Sequence, residues 1–199
     1  MKLCNGNLQS ISWYVPPARS TASSVTGNIP GSTLQGIVNA VVSVPALSVG
    51  SAPQVAGITQ LPSYFWLEGY DGTTLVGNGT DGATTLNIRA TPASYTWQFG
   101  DGTSLTVSGL AGTASASQAL ALVTHTYVVR SDWSRDAVNG AYQVSVTVSF
   151  DTQYRVAGAS GTSPWVDFSS RGLPGLSRTA STSYPVHEIV SALTSPAGS

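Results

Sequence analysis

The sequence predicts an all-β protein, a sandwich of short antiparallel strands, and three observations predict it. Tyr142, Val144, Val146, Val148 and Phe150 alternate with polar residues, which is the period of a strand with one buried face. The turn dipeptides Asp71-Gly72 and Asp81-Gly82, and the tripeptide Gly100-Asp101-Gly102, recur between apolar runs and mark sharp reversals. Such runs number about eight to ten, a count and spacing that suit two packed sheets.

Taken in order, residues 1–31 read as extended chain. The run Ile11-Ser12-Trp13-Tyr14-Val15 has strand character, and Pro16-Pro17 ends it, because proline brings no N–H to a ladder. Residues 18–32 have the Ser/Thr/Gly composition of a linker. At 32–43 two readings compete. A helix would put Leu34, Ile37, Val38 and Val41 on one face, with Ser32 and Gln35 as a capping box. Gly36 and the β-branched residues argue instead for a buried strand over 37–44, ended by Pro45. Residues 45–62 carry Pro45, Pro53 and Pro62 and read as extended chain across a surface.

Residues 63–68 form a dense aromatic strand. Residues 84–90 alternate, with Leu86, Ile88 and Ala90 on one face. Residues 94–99 and 103–107 are predicted to pair as a hairpin around Gly100-Asp101-Gly102, with Tyr95, Trp97 and Phe99 on one side. Residues 108–119 are low in complexity and read as a loop, 120–129 contain a strand, and 130–140 form a second loop. Residues 141–150 and 152–157 are predicted to be two paired strands. The tail, 158–199, alternates loops with short apolar pieces at 165–168 and 184–193, expected to add edge strands. The domain plan is therefore an N-terminal arm over 1–62, a sandwich over 63–157 and a C-terminal extension over 158–199.

Three motifs stand in fixed order: Tyr95-Thr96-Trp97-Gln98-Phe99-Gly100-Asp101-Gly102-Thr103, then Thr124-His125-Thr126-Tyr127, then Gly140-Ala141-Tyr142-Gln143-Val144-Ser145-Val146-Thr147-Val148. Together they resemble the signature of PKD domains over residues 84–157. The resemblance implies an Ig-like β-sandwich of a secreted or surface protein, acting as a spacer or binding module. It gives Trp97, Phe99, Gly100, Asp101, Gly102, His125, Tyr127 and Tyr142 structural roles. The family often has Asp where Gln98 stands, and certain PKD-like domains bind calcium through acidic turn residues. Without that carboxylate Asp101 reads as a turn residue accepting local N–H groups. No calcium or other cofactor is expected.

Composition narrows the function. Charged residues are 9% of the chain, against a usual level of about 25%, so Ser, Thr, Asn, Gln and Gly must supply the polar surface. A net charge of -1 favours neither nucleic acid nor an anionic membrane. Lys2 is the only lysine among eight basic residues, as in GC-rich bacterial coding. Cys4 is the single cysteine, so no intrachain disulfide forms and zinc spacing is absent. No apolar run approaches the roughly 18 residues of a membrane span. The N-terminus lacks a signal-peptide core, so an exported protein would be a processed or incomplete chain.

Chemistry-bearing patterns are few. Gly77-Asn78-Gly79-Thr80-Asp81-Gly82 matches a phosphate-loop pattern but wants a helix after it, and reads as a hairpin loop. His187-Glu188 lacks the second histidine of a zinc-protease motif, and no nucleophile-elbow motif occurs. No enzymatic role is expected. The segment 130–136 holds Arg130, Asp132, Arg135 and Asp136, four of seventeen charged residues, around Trp133. It reads either as a solvated loop with Trp133 folded back, or as a contact site, because Trp and Arg dominate binding hot spots.

The expected function is a non-catalytic, extracellular bacterial surface protein mediating protein contact, adhesion or spacing. The alternative is a filament subunit whose arm, through Ile11, Trp13, Tyr14 and Val15, adds a strand to a neighbouring copy. A third reading is a polysaccharide-binding module that stacks sugars on Trp66, Trp133 or Trp165.

Overall fold

The computed structural model describes residues 29–81, 84–108, 123–158 and 161–189. Among these, 54% are in strands and 10% in helices, which makes the fold predominantly β. In chain order the elements are α1 (Gly31–Val41), β1 (Ser48–Ala52), β2 (Gly57–Ile58), β3 (Pro62–Glu68), β4 (Leu75–Asp81), β5 (Thr84–Gln98), β6 (Ser104–Ser108), β7 (Val123–Thr126), β8 (Tyr142–Gly158), β9 (Gly161–Thr162), β10 (Val166–Asp167), a 3-10 turn at Ser169–Arg171, β11 (Ser177–Tyr184) and β12 (Val186–His187).

Two long strands organise the fold. In β8 every second residue from Tyr142 to Val156 is buried, including Thr152 and Tyr154 beyond Asp151. The alternation keeps phase through Asp151, so the chain has no reason to turn there. One 17-residue strand replaces the two paired strands expected at 141–150 and 152–157. The runs 84–90 and 94–99 likewise merge into β5. The ladder from β5 to β8 shifts register between Pro92 and Ser94, where Pro92 has no N–H to give and a bulge absorbs one residue. Leu86, Ile88 and Ala90 before the shift, and Tyr95 and Trp97 after it, thereby face the same core.

At the Trp97 end the strand order is β6, β5, β8, β11. On its inner face packs the antiparallel sheet β1–β3–β7. Phe65 of β3 joins the layers, with ring centroids 4.9 Å from Tyr184, 5.9 Å from Phe99 and 6.5 Å from Trp97. At the other end β4, β9 and β10 flank the same two strands, and α1 covers the inner face.

The helix settles the ambiguity at 32–43. It buries Leu34 and Val38 completely and turns Ile37 and Val41 toward β4. It begins one residue before Ser32, after Pro30, and has no side-chain cap; the expected capping box does not form. The Gly77–Gly82 run is not a hairpin loop: its first five residues are strand β4. Gly77 and Gly79 pair with Ile88 and Leu86 on the inner face. A Cβ at Gly77 would stand 2.6 Å from the Val41 carbonyl oxygen, and one at Gly79 would stand 2.4 Å from Ile37 Cγ2. The glycines let the helix backbone lie directly on the sheet.

Residues 45–62, expected as surface chain, carry β1 and β2. Ile29, Leu34, Val38 and Val42 belong to the main hydrophobic cluster, while Pro53, Gln54, Val55, Gln60, Leu61 and Pro62 are exposed. From the tail, β11 pairs with β8 from Ser177 to Tyr184, and β12 pairs parallel with β2. The low-complexity segment from 109 and the residues Ile11, Trp13, Tyr14 and Val15 lie outside the described residues.

Candidate functional site

The tripeptide Asp101-Gly102-Thr103 closes the hairpin between β5 and β6. Asp101 Oδ1 accepts from the Thr103 N–H at 3.0 Å and from Thr103 Oγ1 at 2.6 Å, an Asx turn. Gly100 takes φ +80° and packs so closely on Gln143 that a Cβ would meet the Gln143 nitrogen at 2.6 Å. Asp71-Gly72-Thr73 repeats the turn, with Asp71 Oδ1 accepting from Thr73 at 3.0 and 2.8 Å.

Asp101 differs from Asp71 in its second oxygen. His125 Nε2 stands 2.7 Å from Asp101 Oδ2, and a carboxylate can only accept, so Nε2 carries the proton and donates. The imidazole stacks on Phe99 with centroids 4.1 Å apart and meets the Tyr127 ring edge-on at 4.5 Å. Burial opposes the charge on Asp101, but the bonds from the Thr103 hydroxyl, His125 and the Thr103 N–H together outweigh it and hold the carboxyl below its ordinary value. Tyr127 donates to the Phe99 carbonyl at 3.0 Å and stacks on Tyr142 at 4.6 Å; burial pushes its hydroxyl pKa far up. Tyr142 in turn donates to the Val129 carbonyl at 2.9 Å. Thus Trp97, Phe99, Gly100, Asp101, Gly102, His125, Tyr127 and Tyr142 cluster at one end of the fold. The Asp101–His125 pair, 24 residues apart, was not visible in the sequence.

Both oxygens of Asp101 are thereby engaged. Among the described residues no three of His, Cys, Asp and Glu converge as a metal site requires.

The next loop leads out of this cluster. Trp133 is 70% exposed; it is not folded back on the sheets. Arg130 grips Asp132 with two parallel bonds, one of them Nε to Oδ1 at 2.6 Å. The Arg130 guanidinium lies 4.5 Å from the Trp133 ring centroid. This fork raises Arg130 and lowers Asp132 from their ordinary values, so both stay charged. Arg135 and Asp136 are exposed. Val128 and Val138 nearby are 71% and 53% exposed.

The loop is anchored by a residue that sequence reasoning missed. Ser131 is 2% exposed. Its hydroxyl donates to the Gly140 carbonyl and accepts from the Val186 N–H at 3.0 Å, while its own N–H donates to the Val186 carbonyl at 2.9 Å. Nothing in the sequence sets Ser131 apart from the other serines, because its burial arises only from the fold. Between loop and turn lies a pocket of about 250 Å³ that Asp101, Val128, Ser134, Asp136 and Tyr142 help line.

Of the other tryptophans, Trp66 lies across Gly50 and donates to Glu68 Oε1 at 2.8 Å. Trp165 sits on the opposite side of the long sheet, beside Arg89 and Arg155. Set against known proteins, the chain matches no protein-family model, no curated protein and no solved structure.

Proposed function

We propose that this chain is a non-catalytic module of the bacterial cell exterior, an Ig-like sandwich of the PKD type that makes a protein contact through the 130–136 loop. The four-on-three strand arrangement around Phe65 and Trp97 fits that fold class. The motif residues fit it too, since each is used in packing or turn formation. The observation that carries the contact reading is Trp133. A large ring held in solvent by an Arg130–Asp132 fork, on a loop pinned through Ser131, has lost much of its freedom before any partner arrives. Pre-ordering of this kind lowers the cost of association, and exposed Trp beside Arg is the composition of a binding hot spot.

The test applies labelled protein to intact cells of the source organism. Wild-type protein is expected to bind, and Trp133→Ala to bind about tenfold or more weakly with an unchanged melting curve. Equal binding by the two proteins would refute the loop as the contact site.

A second reading, a filament subunit built by strand addition, is supported by the edge of β6. Among the described residues this strand pairs only with β5. It contains neither Pro nor Lys to discourage further pairing.

A further inference from the structure

The face of the long sheet turned away from the core carries an arrangement that neither the motif cluster nor the contact loop uses. At its α1 end, Arg89 Nε donates to Gln153 Oε1 at 2.6 Å, and Gln153 Nε2 donates to Asp167 Oδ1. The Arg89 and Arg155 guanidinium groups lie 4.3 and 4.7 Å from the centroid of the half-buried Trp165 ring. Arg89 spends its Nε on Gln153, whereas Arg155 Nε is shielded from solvent and has no acceptor among the described residues. Toward the other end the same face becomes a field of hydroxyls. Thr106, Thr96, Thr147 and Thr179 stand in one row across four strands, joined in pairs at 3.2 and 2.8 Å. The rows on either side hold serines and Gln98.

We propose that this face binds a neutral polysaccharide, with Trp165 as the platform for a sugar ring, the terminal nitrogens of Arg155 and the Asp167 carboxylate as readers of its hydroxyls, and Gln153 as the residue that positions Asp167. A pyranose ring offers an apolar C–H face that packs on an aromatic ring. Its rim of hydroxyls both donates and accepts, matching planar side chains that bond through two atoms at once. The charge on this face is balanced, Arg89 and Arg155 against Asp151 and Asp167, so an anionic polymer gains no general attraction. A protein partner would want an apolar centre, and this face offers hydroxyls and amides around a single ring. The site is separate from the Trp133 loop, and the two readings stand or fall independently.

The full chain is tested for retention on insoluble cellulose, chitin and β-1,3-glucan, and by titration with the corresponding hexasaccharides. Wild-type protein is expected to bind at least one of them, in high salt as well as low. Trp165→Ala is expected to weaken that binding about tenfold or more, and Trp133→Ala to leave it unchanged. Because Trp165 packs against two arginines, each variant is checked by its melting curve. Should Trp165→Ala melt early, Arg155→Ala carries the same expectation. Failure to bind any of the three glycans would overturn the proposal. So would full binding by the correctly folded variant, or binding that disappears in salt.

Discussion

Asp101 concentrates more of the fold's specificity than its turn position suggests. One oxygen shapes the turn through Thr103, and the other reaches across to β7 through His125, so a local feature is tied to a distant strand. Asp101→Asn keeps an acceptor for the turn but gives up the charge. It is expected to destabilise the fold by about 1–2 kcal/mol in urea unfolding at neutral pH. The carboxyl is held below its ordinary value in the fold, whereas the unfolded chain titrates near 3.9. Its contribution is therefore fully present above that pH and lost as pH falls through the lower folded value. Wild-type stability should decline more steeply than that of Asp101→Asn below about pH 4. Parallel pH profiles would show that the pair contributes nothing. The turn itself was readable from Gly-Asp-Gly, because turn chemistry is local. The histidine partner was not, because no local rule links residues 101 and 125.

Among elements, the clearest dependence of fold on sequence is the seat of α1 on β4. Gly77 and Gly79 alternate on one face of the strand, and the two added methyl groups would meet different obstacles. At Gly77 the obstacle is backbone, the Val41 carbonyl; at Gly79 it is the Cγ2 methyl of Ile37, which the stiff χ1 of a β-branched residue in a helix holds in place. Gly77→Ala and Gly79→Ala are therefore each expected to cost about 1–3 kcal/mol, as read from urea midpoints. Unchanged midpoints would mean that α1 is not seated on these two glycines. The period-two spacing of these glycines was the signal that β4 is a strand; read as turn formers, they suggested a loop. The inner alternation of β8 was fully legible, yet its length was not, because Asp151 looks like a break until the phase on both sides is compared. α1 stayed ambiguous because its β-branched residues suit a strand as well as a helix, and what decides between them is the small-residue seat offered by β4.

For the whole molecule, the question is where the foldable unit begins. Ile29 is 6% exposed, and its carbonyl accepts from Arg171 Nη2 at 3.1 Å. Leu34 and Val38 then enter the common core. Removing residues 1–28 leaves every contact among the described residues in place; if those contacts make up the foldable unit, the melting temperature stays within a few degrees of wild type, and a larger fall places part of the unit before Ile29. Cutting on through Val38 removes two fully buried side chains, at about 2–5 kcal/mol each, and is expected to abolish cooperative melting. The shorter truncation also decides between the two functional readings, because it removes Ile11, Trp13, Tyr14 and Val15 while sparing the loop around Trp133. If wild-type protein forms filaments in negative stain and the 29–199 protein does not, the arm makes the polymer by strand addition. If both are monomers by mass photometry, the filament reading fails. If filaments persist without the arm, an exposed sheet edge such as β6 drives assembly on its own. In that case substituting Thr106, in the middle of that edge, with proline should stop it.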